Sequence, residues 1–299
     1  MRPSCPNSEC KNRKVISNLL PVVRNGWFRR IWDKARIQRY LCRNCRHAFS
    51  DSTFEPTYRE HKPYLNLHLL KWFASSGSQR RGAVLYEINL KTVALKFETL
   101  AKDAMRLNEL DRRFLVENPT KHVMDVQFDE MESTEHTKLK PLSIPIVVES
   151  KTRKILGFEV CKMPAKGLLA RKSRKKYGPR PDERNEAMNR LFSRVSPFIS
   201  PTAKLVSDSC PRYASHVKRH FPKGQYRQVM SRTGCVTGQG ELKKGGRDPM
   251  FWLNHTAAMI RANVNRTFRR TWCTTKKPIS LYYHLEIYTL FHNRVLIVS

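Results

Sequence analysis

The stretch VMDVQFDEME, residues 123–132, is the part of the sequence that decides the fold of the C-terminal half. Val126 and Phe128 alternate with polar residues, and this period of two predicts a β-strand with one apolar face. The strand ends in two adjacent acids, Asp129 and Glu130. Acids are scarce in this chain, so a carboxylate at the end of an apolar strand indicates a functional role. Asp129 is therefore a candidate metal ligand.

The chain as a whole is strongly basic. Its 299 residues include 57 Lys or Arg and 25 Asp or Glu, which gives a formal net charge of +32. A surplus of this size destabilises a compact fold unless a polyanion relieves it, so it predicts a nucleic acid partner. Because 40% of the residues are apolar, the chain can bury a sizeable core, and a disordered basic tail is excluded.

Neither a membrane span nor a signal peptide is visible in the sequence. No apolar run approaches the length that crosses a bilayer, and the N-terminal MRPSCPNSEC lacks the pattern of a secretory signal. We therefore expect a cytoplasmic, nucleoid-associated protein with no membrane partner. In that reducing compartment, the eight cysteines favour metal binding over disulfides.

Two closely spaced cysteine pairs lie within residues 1–55. Four residues separate Cys5 from Cys10, and two separate Cys42 from Cys45. Such spacing predicts a structural Zn²⁺ site with four thiolates, which would hold together hairpins that bury too little apolar surface to fold alone. The alternative is four ordinary reduced thiols. Residues 1–55 are thus predicted to form a zinc ribbon.

The same segment has a large basic surplus and several aromatic residues. Residues 1–50 contain twelve Lys or Arg and two acids, so the ribbon is expected to lie against DNA. Trp27, Phe28 and Trp32 are predicted to form its small core, with support of the DNA contact as the alternative.

Residues 60–115 show mainly helical periodicity. Gln79–Glu87 and Leu90–Met105, joined by a short turn, resemble a helix-turn-helix in which Val84 and Ile88 pack inward. The residues predicted to line the outer face of the second helix and contact DNA are Lys91, Thr92 and Lys96. A plain helical hairpin joining two domains is the alternative. Residues 111–121, with their Asn-Pro break, are predicted to be a linker.

Residues 120–299 give the order strand, strand, strand, helix, strand, helix, strand, helix. The predicted strands are 123–132, 142–148, 155–161, 203–206 and 226–229, and the predicted helices are 185–195, 212–220 and 252–272. Candidate DNA-binding residues on the basic side of the last helix are Arg266, Arg269 and Arg270.

A polar insertion follows the third predicted strand. It has eight basic residues and two acids between positions 166 and 184, and it is predicted to be a long loop. A solvated loop is one interpretation, but the uncompensated charge favours a clamp on DNA. The residues that would form this clamp are Arg171, Lys172, Arg174, Lys175 and Lys176.

The strand 203–206 ends in Ser207–Asp208 and so repeats the pattern of the opening stretch. Phosphoryl transfer uses two Mg²⁺ ions about 4 Å apart to activate the nucleophile and stabilise the leaving oxygen. Magnesium binds through a few carboxylates together with water and substrate phosphate. Asp129 and Asp208 are therefore predicted to hold Mg²⁺ or Mn²⁺ from the ends of adjacent strands.

The order of zinc ribbon (1–55), helix-turn-helix (60–115) and β-β-β-α-β-α-β-α half (120–299) resembles bacterial insertion-sequence transposases of the DDE type. The run LNHTAAMIRANVNRTFRRTWCTTKK at 253–277 is also similar to their closing segments. The resemblance implies an α/β RNase H-like fold, with a mixed five-stranded sheet and flanking helices. It places the first two aspartates at Asp129 in VQFDEME and Asp208 in KLVSDSCPRY.

The resemblance further implies a homo-oligomer on double-stranded DNA, both element ends and target, that catalyses metal-dependent strand cleavage and strand transfer. This family usually places its third acid, a Glu, near the start of the last long helix. Here that place holds Asn254, a neutral oxygen ligand, followed by His255. The other candidate is Glu241, which lies 33 residues beyond Asp208 in a Gly-rich loop.

The missing carboxylate would weaken metal affinity and leaves open that this copy is inactive. The alternative function is therefore a non-catalytic DNA-binding regulator or an inactivated transposase remnant. A third hypothesis is a nuclease of the same fold that acts on branched DNA or RNA.

Overall fold

A computed structural model of the chain describes residues 3–11, 21–55, 57–230, 248–268 and 273–297. The chain divides into two compact units, residues 1–68 and 69–299. The predicted helix-turn-helix belongs to the second unit, together with the large sheet. In the described part of the chain, no helix has both the length and the apolar character needed to cross a membrane.

The first unit is built on a three-stranded antiparallel sheet in the order β1-β2-β3. Its strands are β1 (Val22–Arg29), β2 (Arg36–Cys42) and β3 (Ala48–Ser50). Short 3-10 helices at Asp51–Phe54 and Pro63–Leu65 follow. Val22, Tyr40 and Phe49 pack with the cysteines into a small core.

The prediction that Trp27, Phe28 and Trp32 form this core is wrong, because all three side chains are exposed. The reason is the length of β3. Its three residues pair only with Arg39–Leu41 of β2, so the small core forms at that end of the hairpin and the three aromatic residues lie toward the turn, away from it.

Three helices follow these short 3-10 helices in the chain. They are α1 (Asn66–Phe73), α2 (Gln79–Leu85) and α3 (Leu90–Glu117). Asn89 caps α3 by accepting a hydrogen bond from the Lys91 amide at 2.8 Å. The predicted linker at 111–121 is wrong, since α3 continues to Glu117 and breaks only where Asn118 precedes Pro119.

The helix pair α2–α3 differs from the predicted helix-turn-helix in which side chains are buried. Val84 is 77% exposed rather than packed inward, and Lys96 is only 3% exposed rather than on the outer face. Lys96 lies at i+3 from the buried Val93 and next to the buried Phe97, so helical spacing places it within the buried stripe of α3.

The second unit contains a mixed sheet with the strand order β6-β5-β4-β8-β9, and β7 also pairs with β5. The strands are β4 (Val123–Thr134), β5 (Pro141–Glu149), β6 (Ile155–Phe158), β7 (Cys161–Lys162), β8 (Ile199–Asp208) and β9 (Gln225–Val229). Strands β4, β5 and β6 form the predicted antiparallel meander, and β8 runs parallel to both β4 and β9.

The α/β class and the mixed sheet are confirmed, but the sheet has six strands rather than the predicted five. The strand predicted at 155–161 is divided into β6 and β7, which pair with β5 in one register through Ile146↔Phe158 and Ser143↔Cys161. The division falls opposite Pro145, which has no amide hydrogen to donate to the ladder.

Five helices accompany this sheet: α4 (Leu168–Tyr177), α5 (Arg184–Val195), α6 (Tyr213–His220), α7 (Phe251–Asn263) and α8 (Pro278–Phe291). Val126 and Phe128 of β4 pack in one core with residues of α5 and α6. Met131 of the same strand packs in a second core with residues of α7 and α8. Since even and odd residues of a strand face opposite sides, helices cover both faces of the sheet.

The observed helices of this region differ from the prediction in three places. The insertion predicted as a loop contains α4, because Leu, Ala, Lys and Arg are good helix formers and charge alone does not prevent a helix. The last predicted helix, 252–272, ends at Asn263, where Val264 adopts an extended conformation. Helix α8 was not predicted, because it is apolar nearly all round and therefore lacks an amphipathic period.

Candidate functional site

Asp129 and Asp208 lie on neighbouring strands of the sheet. Asp208 is the last residue of β8, but the prediction that Asp129 ends its strand is wrong, because β4 continues to Thr134 in its antiparallel ladder with β5. Strands β4 and β8 are parallel neighbours in which Gln127 pairs with Val206. Each aspartate lies two residues further along its own strand, so the two are level with each other. Both also face the side of the sheet that α7 covers, because Val206 and Met131, at matching positions, pack into the core with α7.

The two carboxylates interact electrostatically. Burial and, after it, the nearby charge of Asp208 raise the pKa of Asp129 to about 6. Two hydrogen bonds to Asp129 Oδ1 oppose this rise, one donated by the Glu130 amide at 2.6 Å and one by the Tyr213 hydroxyl at 3.0 Å. These bonds fix the orientation of the Asp129 carboxylate, and a cation between the aspartates would relieve their repulsion.

The neighbouring acids of β4 are engaged in other contacts. Glu130 accepts hydrogen bonds from Ser143 Oγ and Arg212 Nη2, each at 2.8 Å. Asp125 accepts one from Ser150 Oγ at 2.7 Å. Both carboxylates therefore hold together the elements around β4.

Gln127 connects the strand that carries Asp129 to the start of α7. Its Nε2 donates to the Pro249 carbonyl at 3.0 Å, and its Oε1 accepts from the Leu253 amide at 2.9 Å. Gln127 lies two residues before Asp129 on the same face of β4. The first turn of α7 is thereby fixed beside the aspartate pair.

Asn254 lies in this first turn, directly after Leu253. Its Nδ2 donates to Asp248 Oδ2 at 2.8 Å, while Asp248 Oδ1 accepts from the Met250 amide at 2.9 Å. With the amide nitrogen engaged, Oδ1 is the Asn254 atom suited to a metal. His255, the next candidate, lies 3.1 Å from Arg153 and has its pKa lowered by burial and by that charge. Glu241 lies outside the described residues.

A comparison with protein-family models finds no match for this chain, and a search of curated proteins finds none either. Function is therefore argued from the geometry of the side chains.

Four cysteines of the first unit form a candidate metal centre, and their ligand atoms all lie within 4.8 Å of one another. Cys5 Sγ is 3.6 Å from Cys45 Sγ, and Cys10 Sγ is 3.8 Å from Cys42 Sγ. A tetrahedral Zn²⁺ with Zn–S bonds of about 2.3 Å requires sulfur atoms about 3.8 Å apart. The four cysteines can therefore hold a metal such as zinc.

The protonation of these thiols also fits a cation. Burial and, after it, hydrogen bonds with the other three thiols raise the pKa of Cys5 to about 12. Without a cation, Cys5 therefore keeps its proton, whereas a backbone hydrogen bond from His47 lowers the pKa of Cys45 to about 6. A bound cation would favour the thiolate form of both. Asn44 Nδ2 donates toward Cys10 Sγ at 3.7 Å and supports the ligand from the outer side.

The five basic residues predicted to form a clamp are all exposed on helix α4. Ser173, the one buried residue of this helix, donates a hydrogen bond to the Leu139 carbonyl at 2.6 Å. Leu139 lies between β4 and β5, beyond Asp129 along β4. One side of α4 is thus held to that loop, and its cations point into solvent.

The other residues predicted to contact DNA differ from one another in their exposure and location. Lys91 is exposed and Thr92 is half-buried, whereas Lys96 is buried. Arg266 follows α7 rather than lying on it, and its guanidinium packs over the Phe97 ring at 5.5 Å. Arg269 and Arg270 lie outside the described residues.

Two residues of the site were missed by the sequence interpretation. The period of two placed Gln127 on the same face as Asp129, but nothing in the sequence indicated that it holds α7. Tyr213 follows Asp208 in SDSCPRY, and that proximity is the only signal that could have suggested its contact with Asp129.

Proposed function

We propose that this chain is a DNA transposase of the DDE type, with an RNase H-like second unit that cleaves and joins DNA strands. The observation that supports the proposal is the aspartate pair: Asp129 and Asp208 are level on adjacent parallel strands, and Asp208 raises the pKa of Asp129. Two neighbouring carboxylates on adjacent strands of a rigid sheet are suited to hold divalent cations.

In this proposal Asp129 and Asp208 hold two Mg²⁺ or Mn²⁺ ions, and Asn254 Oδ1 is the neutral third ligand. The metal would activate the attacking hydroxyl and stabilise the leaving oxygen of the phosphodiester. Tyr213 orients Asp129, and Gln127 sets the distance between β4 and the first turn of α7.

The excess positive charge supports DNA as the substrate. The formal net charge is +32, and α4 presents five exposed cations beyond the strand that carries Asp129. Contacts of this kind bind phosphates without reading sequence, so they would position both element ends and target DNA. We assign a structural Zn²⁺ to the four cysteines, a homo-oligomer to the DNA-bound form, and association with the nucleoid.

The test is a strand-nicking assay on DNA that carries the flanking sequence of the element, with and without Mg²⁺ or Mn²⁺. Asp129→Asn and Asp208→Asn should each slow nicking by about a hundredfold or more, because the metal charges contribute several kcal/mol to the transition state. Asp111→Asn is the matched control. Asp111 lies on α3, where it forms an ion pair with Arg294, and it is not part of the aspartate site. Nicking by either site variant at the wild-type rate would contradict the assigned site.

A non-catalytic DNA-binding protein is the second candidate. Within the described ranges, the four cysteines are the only group of three or more His, Cys, Asp or Glu residues whose ligand atoms lie within 4.8 Å of one another. In the part of the chain that the structure describes, the two aspartates and a third such residue therefore do not form a group of that kind. This candidate predicts tight, salt-sensitive DNA binding with no metal-dependent nicking by the wild-type protein.

A further inference from the structure

The β1–β2 hairpin of the first unit carries a run of exposed apolar side chains. Trp27 is 51% exposed and Ile31, at the turn, is 85% exposed, and Phe28 and Trp32 are exposed as well. Isolated apolar residues at a surface are ordinary, but four large ones on one short hairpin are not. Trp27 and Phe28 are consecutive residues of β1, so they lie on opposite faces of the hairpin. We call residues 24–39 the aromatic hairpin.

The aromatic hairpin has a defined conformation. Between Arg24 and Trp27 the register shifts by one residue, and Gly26 adopts a φ of +71°, which glycine tolerates without strain. Gln38 Nε2 donates to the Gly26 carbonyl at 2.6 Å and closes this bulge. At the turn, the Arg30 amide donates to the Ala35 carbonyl at 2.8 Å. The backbone that carries the exposed rings is therefore held at the bulge and at the turn.

Cations lie against both tryptophans. The Arg36 guanidinium is 4.3 Å from the centre of the Trp27 ring, and that of Arg30 is 4.3 Å from the centre of the Trp32 ring. The aromatic hairpin contains six Lys or Arg and one acid. That acid, Asp33, is paired with Arg30, so most of the positive charge remains for a partner.

We propose that the aromatic hairpin binds unpaired bases of single-stranded DNA, which stack on Trp27 and Trp32 while the surrounding arginines hold the phosphates. A partner that matches both exposed rings and uncompensated cations must offer flat apolar faces and negative charge together. Single-stranded DNA offers both along its length, whereas a duplex encloses its base faces in the helical stack. Bases on aromatic rings and phosphates in a basic groove are how proteins bind single strands.

The choice of DNA rests on the proposed function, in which opening an element end would release unpaired nucleotides. The stacking surface itself does not depend on Asp129 or Asp208. Binding and nicking can therefore fail separately, and the two proposals can be distinguished.

The test is fluorescence anisotropy with a labelled oligothymidylate of about 15 nucleotides and with a duplex of equal length. Full-length Asp129→Asn protein serves as the background, so that no cleavage interferes. Adding Trp27→Ala should weaken oligothymidylate binding about tenfold, as expected for the loss of one stacked base. Trp27→Phe should restore most of the affinity, and duplex binding should change less than the single-strand binding does.

Tyr58→Ala is the matched control. Tyr58 lies in the same unit, is similarly exposed, and has the Arg59 guanidinium 5.3 Å from its ring, but it is outside the aromatic hairpin. This variant should bind the oligothymidylate like its parent. Zinc content per chain confirms that each variant has folded its first unit. Unchanged single-strand affinity in Trp27→Ala would overturn the inference, and so would an equal loss of affinity for duplex.

Discussion

At neutral pH the Asp129 carboxylate is charged, and this buried charge lowers the free energy of unfolding of the metal-free protein. Its pKa is raised from an ordinary 3.8 to about 6 by burial and by Asp208, so the folded state binds the proton more tightly than the unfolded state does. Between pH 4 and pH 6 the free energy of unfolding contributed by this group therefore falls as the pH rises. At neutral pH the charged carboxylate destabilises the metal-free fold by up to about 3 kcal/mol.

Asp129→Asn should consequently stabilise the metal-free protein at neutral pH, by about 1–3 kcal/mol. The asparagine oxygen can still accept the hydrogen bond from the Tyr213 hydroxyl. Urea unfolding at pH 7 and at pH 4 measures the effect, which should shrink at the lower pH because the wild-type carboxyl is then protonated. Added Mg²⁺ should raise the stability of the wild type and not that of the variant. A variant less stable than the wild type at pH 7 would contradict this account.

At the scale of the elements, helix α8 is held by a buried histidine. His284 Nε2 lies 2.8 Å from the Phe73 carbonyl at the end of α1, and its ring meets the rings of Phe73 and Phe97 edge-on. Burial lowers the pKa of His284 from 6.5 to about 4. The neutral imidazole therefore connects three helices.

Because the unfolded state binds this proton more readily, the stability contributed by neutral His284 is lost as the pH falls from 6.5 to 4. We expect His284→Asn to be less stable than the wild type at pH 7 by about 2–4 kcal/mol, since asparagine leaves a cavity. The difference should narrow as the pH is lowered, because the variant lacks the titrating group. Urea titrations of both proteins between pH 7 and pH 4 test this, and a constant difference would be the contrary result.

At the scale of the whole molecule, the two units differ in what stabilises them. The small core of the first unit includes Cys5, Cys10 and Cys42, whereas the second unit has two extensive apolar cores. Structural zinc sites contribute folding free energy directly. Loss of the metal should therefore unfold the first unit and leave the second folded.

Cys42→Ser should give a chain whose residues 1–68 are cleaved by protease at low enzyme concentration, while a fragment close to 69–299 persists. Cys210→Ser is the control, because Cys210 lies outside the cysteine cluster and should leave both units protected. Zinc bound per chain should be close to zero in the first variant and unchanged in the second. Equal protection of both units in Cys42→Ser would contradict a structural metal.

The sequence predicted those parts of the fold that have a clear local period. The strand containing Asp129 and the helix at 185–195 were predicted because polar and apolar residues alternate with the period of each element. Helix α8 has no polar side and gave no such signal, although Pro278 at its first turn was a usable start signal. Trp27 is exposed because the small core forms at the other end of the hairpin, around Val22 and Tyr40, which no local pattern specifies.

The hydrogen bonds of Gln127 bear on how the proposed site would be assembled. The Gln127 side-chain amide donates one hydrogen bond to the Pro249 carbonyl and accepts one from the Leu253 amide. These two bonds join the start of α7 to β4. A glutamate at position 127 could accept but not donate, and one of the two bonds would be lost. The paired bonds therefore hold the first turn of α7 to the strand that carries Asp129 without the help of a bound substrate.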